Sequence, residues 1–407
     1  MFKAEKYKGI LGLLAQGIIS GTNFLLGLFI VNQFGLSSYG QYASVWLIYL
    51  FIASLLHSFI TLPSMVLQSE NHTREEIVFS NRKIRDRILI ITTPAVFLLI
   101  LFIYDLLLIE VIIYTFLIVA ALRFDAQRKL FYALENSRHA CFGSVIFFFS
   151  LSLFATSLWY IEVDGIKYLL IGLAFAFVLG GVYFELKIRK IRDVIRPRKI
   201  DSTLVNNWKY SKALLLTNIL QWISGNFIQL AVLGILGTTS LGVLRMLQNI
   251  LGLLHVIFLA LENIVPAKGA QLLKTGEPKK YKTYLKKVLS HSALIFSLIL
   301  LSLLIFPERV LSNIYSEDMI EYAFLLREFS FVYVLVFVGT WFQLILKINA
   351  KNNGILVAYI GSIIIGYLCA EPFVNRWGLS GAILTFGVLQ IFTNSVYFFT
   401  IIKEKLI

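Results

Sequence analysis

Charge is scarce in this sequence. Asp, Glu, Lys and Arg make up only 15% of its 407 residues, against about 25% in a soluble globular chain. That scarcity excludes a water-soluble enzyme. It also excludes a disordered chain, which combines low hydrophobicity with high net charge. Seven prolines exclude a collagen-like chain. Cysteine is almost absent. Cys141 and Cys369 both lie in apolar stretches, so no disulfide framework is expected, and two residues are too few for a cysteine-based metal cluster. No phosphate loop, zinc motif or nucleophile elbow occurs. An intrinsic ATP drive is therefore not expected, nor a metal or other cofactor.

What is present is apolar bulk: 58% hydrophobic residues, with 34 Phe and 19 Tyr. A bilayer core of about 30 Å takes a helix of roughly 20 apolar residues. Twelve segments meet that need, at 9–34, 41–64, 88–104, 106–122, 140–160, 167–186, 210–233, 240–264, 288–306, 320–346, 353–371 and 379–402. Only helices or closed barrels satisfy a backbone in lipid, and these runs are far longer than barrel strands of about 9–11 residues. Lys3, Lys6 and Lys8 ahead of an apolar run imitate a signal peptide. The run is too long and lacks a small-x-small cleavage site, so it reads as a retained first span. The fold class expected is an all-α integral membrane protein.

The distribution of positive charge supports this reading. Of 37 Lys and Arg, 31 fall in connections on one side of the alternating topology and three (Lys167, Arg309, Arg376) on the other. Cytoplasmic loops carry the excess, which predicts a multi-pass protein with both termini cytoplasmic. The net charge of +14 is thus mainly a topology signal. Attraction of the basic loops to anionic lipid comes second, and no nucleic-acid partner is expected.

A basic connection, KIRKIRDVIRPRKIDSTLVNNWK at 187–209, divides the spans six and six. The expected domains are an N-terminal lobe at 1–187, a basic linker at 188–209 and a C-terminal lobe at 210–407. The lobes begin alike. Asn23-Phe24 matches Asn226-Phe227, and Gly35-Leu-Ser-Ser-Tyr-Gly40 matches Gly237-Thr-Thr-Ser-Leu-Gly242. Six spans is an even number, so the lobes would be parallel repeats about an axis along the membrane normal. Such repeats place a substrate site at the repeat interface.

The short turn Phe34-Gly35-Leu-Ser-Ser-Tyr39-Gly40-Gln-Tyr42 after the first span, the segment Trp377 to Ala382 (WGLSGA) before the last, and the six-plus-six plan together resemble the Wzx-type polysaccharide flippases of the MOP exporter superfamily, relatives of the MATE transporters. The resemblance implies two pseudo-symmetric six-helix bundles. It implies a non-enzymatic flippase of the bacterial inner membrane, with cargo of O-antigen type: an oligosaccharide carried on undecaprenyl pyrophosphate, moved from the cytoplasmic to the periplasmic leaflet by alternating access. Other polysaccharide-assembly membrane proteins are implied as partners beside the bilayer itself.

Ionisable groups within spans are costly and are functional candidates by default. Arg245 and Arg327 are two such residues, and arginine grips phosphate oxygens bidentately. The bland reading of Arg245 is snorkelling to the interface; that of Arg327 is a structural ion pair with Glu321 or with a carboxylate on another span. Polar faces accompany them. Arg245, Gln248, Gly252, His255 and Glu262 share one helical face, as do Asn218, Gln221, Gly225 and Gln229, and as do Gln16, Ser20 and Asn23. Ser54, His57, Ser58 and Thr61 form a fourth. Amides and hydroxyls suit sugar hydroxyls. The competing reading is helix–helix packing through small and polar residues. In the family resembled, the helices carrying these faces line the central cleft. Arg123, with Asp125 and Arg128, closes span four as a headgroup capture point or a topology anchor. Glu328 and His255 are the candidates for ion coupling. Helix-end carboxylates such as Glu185 and Glu262 read as solvated.

Three rivals remain. A MATE-type small-molecule antiporter predicts an acidic, aromatic-lined cavity. A membrane-embedded polysaccharide polymerase or ligase needs a large outer loop, whereas the longest here is about 307–319. A scaffold within an assembly complex is the third.

Overall fold

A computed structural model describes residues 2–63, 74–104, 106–161, 165–192, 201–274 and 278–406. Asp105, Glu162, Asp164 and the Arg196, Arg198 and Lys199 part of the linker lie outside the described residues. Among the described residues there are ten α-helices and no strand. They are α1 (Phe2–Leu56), α2 (Arg74–Ile103), α3 (Leu108–Ala133), α4 (Ser137–Ile161), α5 (Ile166–Arg192), α6 (Asp201–Lys274), α7 (Pro278–Ile305), α8 (Pro307–Ile314), α9 (Ala323–Ile348) and α10 (Asn352–Lys403). A wide π-helical turn, His57–Thr61, continues α1, and a 3-10 turn, Glu317–Tyr322, leads into α9.

Eight of these helices contain segments long and apolar enough to cross a membrane. The protein is a multi-pass membrane protein. Three of the eight are far longer than one crossing: Leu11–Thr61, Leu214–Lys274 and Asn353–Lys403. A straight 51-residue rod would extend about 75 Å, more than twice a hydrocarbon core of about 30 Å. Each rod is broken once by a glycine with positive φ: Gly35 (φ 78°, ψ 175°), Gly237 (φ 82°, ψ −173°) and Gly378 (φ 57°, ψ −131°). Such backbone conformations are open to glycine and strained for any residue with a Cβ. Helix α3 is not among the eight. Its first half is the apolar 106–122 segment, and its second half carries Arg123, Asp125, Arg128 and Lys129.

The helices cluster into two compact units. One comprises Met1–Leu26 and Tyr42–Ile219, the other Gly27–Gln41 and Leu220–Ile407. The division falls inside α6, at 219/220, and assigns the 27–41 turn to the second unit. In lipid, helices gain little from hydrophobic burial against one another, so close packing must hold them. The first unit does this with phenyl rings. Phe147 stacks on Phe177 with centroids 4.4 Å apart, and Phe124 lies 5.3 to 5.4 Å from Phe147, Phe177 and Phe184. In the second unit Phe296 stacks on Phe337 at 4.4 Å, and Ile345, Leu346, Ile355, Ala358, Tyr397 and Ile401 join α9 to α10.

The second unit also contains both copies of the glycine turn, and they touch. A Cβ on Gly40 would lie 1.8 Å from the Thr238 carbonyl oxygen and 2.9 Å from the Gly242 nitrogen. A Cβ on Gly242 would lie 2.0 Å from the Leu36 carbonyl oxygen and 3.1 Å from the Gly40 nitrogen. The contact is reciprocal, as expected where two copies of one motif meet about a local two-fold axis. The repeat read from the sequence therefore has a physical counterpart: the second glycine of each turn is the point at which the other backbone approaches. Gly40→Ala and Gly242→Ala should each destabilise the protein by about 1–3 kcal/mol through overpacking. Gly17→Ala, where a Cβ meets nothing within 4 Å, should not. Thermal unfolding of the purified variants checks this, and an unchanged midpoint for Gly242→Ala would refute the close approach.

Candidate functional site

Each unit carries a polar face on membrane-crossing helices. In the second unit the face lies on α6 after its break. Arg245 is half-buried. Its Nη1 reaches Gln248 Oε1 at 3.5 Å, and that oxygen accepts a firmer bond from Gln229 Nε2 at 2.9 Å. Tyr39 and Tyr333 stand within electrostatic reach of the guanidinium. One residue further along α6, Asn249 Nδ2 donates to the Tyr315 hydroxyl at 3.2 Å. Gly27 leaves room for this group, since a Cβ there would lie 2.8 Å from both Asn249 Nδ2 and the Tyr39 hydroxyl. His255 is exposed, with its ring 6.3 Å from that of Tyr333. The 3.5 Å contact is at the limit of a hydrogen bond, so no carboxylate neutralises Arg245 in the contacts described.

In the first unit, Gln16 Oε1 accepts from Arg128 Nη1 at 3.2 Å, and Gln16 Nε2 donates to Ser20 Oγ at 3.4 Å. Arg128 is buried and is held by Asp125 Oδ1 at 2.8 Å, while Lys129 takes Asp125 Oδ2, also at 2.8 Å. Asn218 Nδ2 donates to Ser58 Oγ, which lies in the π-helical turn beside His57. His57 Nδ1 is buried without a hydrogen-bond partner among the described residues. Asn23 is exposed on α1; Gln221, the second residue of α6 that falls in the second unit, is exposed there.

Small residues on these faces distinguish a lined space from helix packing. A packing glycine has a neighbour where its Cβ would be. A Cβ at Gly17, Gly21, Gly225 or Gly252 would meet nothing within 4 Å. These glycines stand beside Gln16, Asn23, Gln221 and Gln248, so the polar faces front open space.

Other expected residues have different surroundings. Arg327 donates from Nη2 to Glu308 Oε1 at 3.1 Å and from Nε to the Leu304 carbonyl at 3.1 Å. It is thus engaged with the α7–α8 connection and shares no partner with Arg245 in the contacts described. Glu328 Oε2 is buried without a hydrogen-bond partner among the described residues. Glu262 pairs with Lys347 at 3.1 Å rather than standing solvated alone. Glu185 departs furthest from the helix-end reading. It is buried on α5 and faces Arg82 Nη2 at 2.6 Å, Arg85 at 3.8 Å, Arg123 at 3.8 Å and Arg189 at 3.7 Å, and it accepts a hydrogen bond from Gln127 at 3.1 Å. Arg85, counted in the sequence as loop charge, is fully buried. The reason is that α2 begins at Arg74, so Arg82 and Arg85 lie one turn apart on a helix face that packs on α5. That i, i+3 spacing was the available signal; its counter-charge lies about a hundred residues away in sequence.

Burial pushes the Asp125 carboxyl up, but Lys129 and Arg128, paired to its two oxygens, hold it well below the usual carboxylate range. Asp125 lies beyond the 106–122 apolar segment. A depressed carboxyl contributes stability that is present above its unfolded value and lost as pH falls through the folded one.

No protein-family model and no curated protein sequence matches the chain. Solved structures do match in fold. A multidrug resistance MATE family transporter of the MOP superfamily, in an inward-facing conformation, matches with a TM-score of 0.74 at 12% identity, over 95% of this chain and 96% of that one. The lipid II flippase MurJ, in an inward closed conformation, matches at 0.71 and 12% identity, over 96% and 87%. A MOP superfamily transporter from Pyrococcus furiosus, whose binding pocket is described as reversed in polarity, matches at 0.67 and 13%, over 98% and 94%. At 12–13% identity these matches show a shared fold: the chain has the fold of these solved structures.

Asp125→Asn should lower stability at neutral pH by about 3 kcal/mol, because it leaves Arg128 buried without its partner. The wild type should lose this difference as pH falls below the usual carboxylate range. Thermal unfolding of both proteins as a function of pH measures it, and parallel curves would refute the ion pair.

Proposed function

We propose that the protein is a flippase for a lipid-linked oligosaccharide, with undecaprenyl pyrophosphate as the carrier and alternating access as the mechanism. The proposed membrane is the bacterial inner membrane, with both termini cytoplasmic, and cargo moves to the outer leaflet. The reading treats each glycine-broken rod as two crossings and α3 as one more, which makes twelve.

One observation carries the cargo class: Arg245 sits on a glycine-opened polar face with amide partners and no carboxylate among its described contacts. An uncompensated guanidinium in a low-dielectric setting favours an anionic ligand, and its planar fork matches phosphate. Gln248, Gln16, Asn23, Asn218 and Gln221 offer donors and acceptors suited to sugar hydroxyls. Weak, distributed contacts of this sort let a glycan slide rather than lodge. Arg327, paired with Glu308, is assigned a supporting position. Glu328 and His57 retain buried polar atoms free for proton exchange, and with His255 they are the candidates for coupling to an ion gradient.

The second reading, a MATE-type antiporter, is favoured by the fold neighbours alone. Its cationic substrates would meet Arg245 as a like charge.

The test is flipping in proteoliposomes of a fluorescent undecaprenyl-pyrophosphate oligosaccharide, with ethidium transport as the contrasting arm. Arg245→Ala should lower glycolipid flipping at least tenfold, and Arg245→Lys should restore part of it. Arg327→Ala should act chiefly through stability. Ethidium transport without glycolipid flipping would overturn the proposal in favour of the antiporter. A separate check uses open space: Gly17→Leu and Gly225→Leu should unfold like wild type yet block flipping. Full activity in both would show that these faces do not line the path.

A further inference from the structure

Helices α3 and α5 line a cavity of about 380 Å³ in the first unit. At its basic end are Arg123 on α3 and Arg189 on α5, with side chains 49% and 63% exposed. Behind them sits the buried Glu185. Arg82 takes that carboxylate at 2.6 Å and Gln127 at 3.1 Å. Arg123 and Arg189 approach it only to 3.8 and 3.7 Å, beyond good hydrogen-bond geometry. Their forks are oriented by the carboxylate without being consumed by it. The cluster of Arg82, Arg85, Arg123 and Arg189 carries more positive charge than Glu185 and Asp86 return.

From that basic end the cavity continues as an apolar strip. Leu186, Val182 and Val178 line it on α5, spaced by four residues on one helical face. Leu186 and Val182 are exposed. Beyond them Phe175 and Phe116, both exposed, meet edge to face at 6.3 Å. Exposed Leu, Val and Phe on a membrane-crossing helix face hydrocarbon.

We propose that this groove is a binding site for an anionic phospholipid of the leaflet at the basic end. The phosphate is held by Arg123 and Arg189, and an acyl chain lies along Leu186, Val182 and Val178. Two features commit the occupant to a lipid rather than free phosphate. The charged end is continuous with a lipid-facing apolar strip, and basic pockets between membrane helices are suited to phospholipid headgroups. The cavity volume fits a headgroup with the first part of a chain. Arg123 is thereby assigned to this lipid, and the proposal does not depend on what cargo the protein moves.

The test uses the full-length protein in mild detergent, with native mass spectrometry and thermal shift read against added phosphatidylglycerol, phosphatidylcholine and inorganic phosphate. Phosphatidylglycerol should bind and raise the unfolding temperature; phosphatidylcholine and inorganic phosphate should not. Arg123→Gln/Arg189→Gln should weaken phosphatidylglycerol binding at least tenfold. Val182→Trp, at an exposed position, should weaken it with the charge intact. Lys279→Gln/Lys280→Gln removes the same charge from another exposed basic stretch and should leave binding unchanged. Equal loss in that control would reduce the effect to general electrostatics and overturn the site. A shift by inorganic phosphate equal to that by phosphatidylglycerol would overturn the lipid, and unaltered binding in both groove variants would overturn the groove.

Discussion

A backbone inside hydrocarbon must satisfy its own hydrogen bonds, and this constraint shapes most of what is seen here. It forces the apolar segments into helices and leaves few ways to turn around. Where the rods break, the breaking residue is glycine, at 35, 237 and 378. The same residue type then permits the reciprocal approach of Gly40 and Gly242. Turning and contact are achieved by removing side chains rather than by adding polar ones, which fits a place where an unpaired polar group is expensive.

Polar groups are admitted under two regimes. One is full enclosure by opposite charge, as with Glu185 among arginines and with Arg128, Asp125 and Lys129. These clusters bind helices of the first unit together near the basic end. The other is a place beside open glycine positions with only amide partners or none described, as with the exposed Asn23 and Gln221 and the more buried Arg245–Gln248–Gln229 series. The first regime spends its charge on internal partners. The second leaves hydrogen-bonding capacity for something outside the protein. That difference, more than residue type, separates structural from functional candidates. By that measure Arg327, tied to Glu308, and Arg245, held loosely by an amide, fall on different sides.

Arg123 and Arg189 stand between these regimes. Both lie near Glu185 but remain half in the open, above a strip of exposed Leu and Val. Counted along the chain, they are two more basic residues beside a membrane span. Placed in space, they cap an apolar groove.

Composition, hydropathy and the lopsided distribution of Lys and Arg were enough to establish a helical multi-pass membrane protein, because burial in lipid acts on each segment separately and leaves its mark residue by residue. The internal repeat was legible for the same reason: Gly35 and Gly237 answer a local demand of the backbone, and the demand recurs. The arginine shell of Glu185 was not legible, since the partners come from residues 82, 85, 123 and 189 and nothing local distinguishes a buried cation from an anchor. Nor could spacing say which glycines pack and which stand open. Gly242 and Gly252 look alike in sequence, but one meets a carbonyl oxygen and the other meets nothing. Only the tertiary structure decides that, because it depends on which other helix arrives, and helices in lipid choose their neighbours by shape.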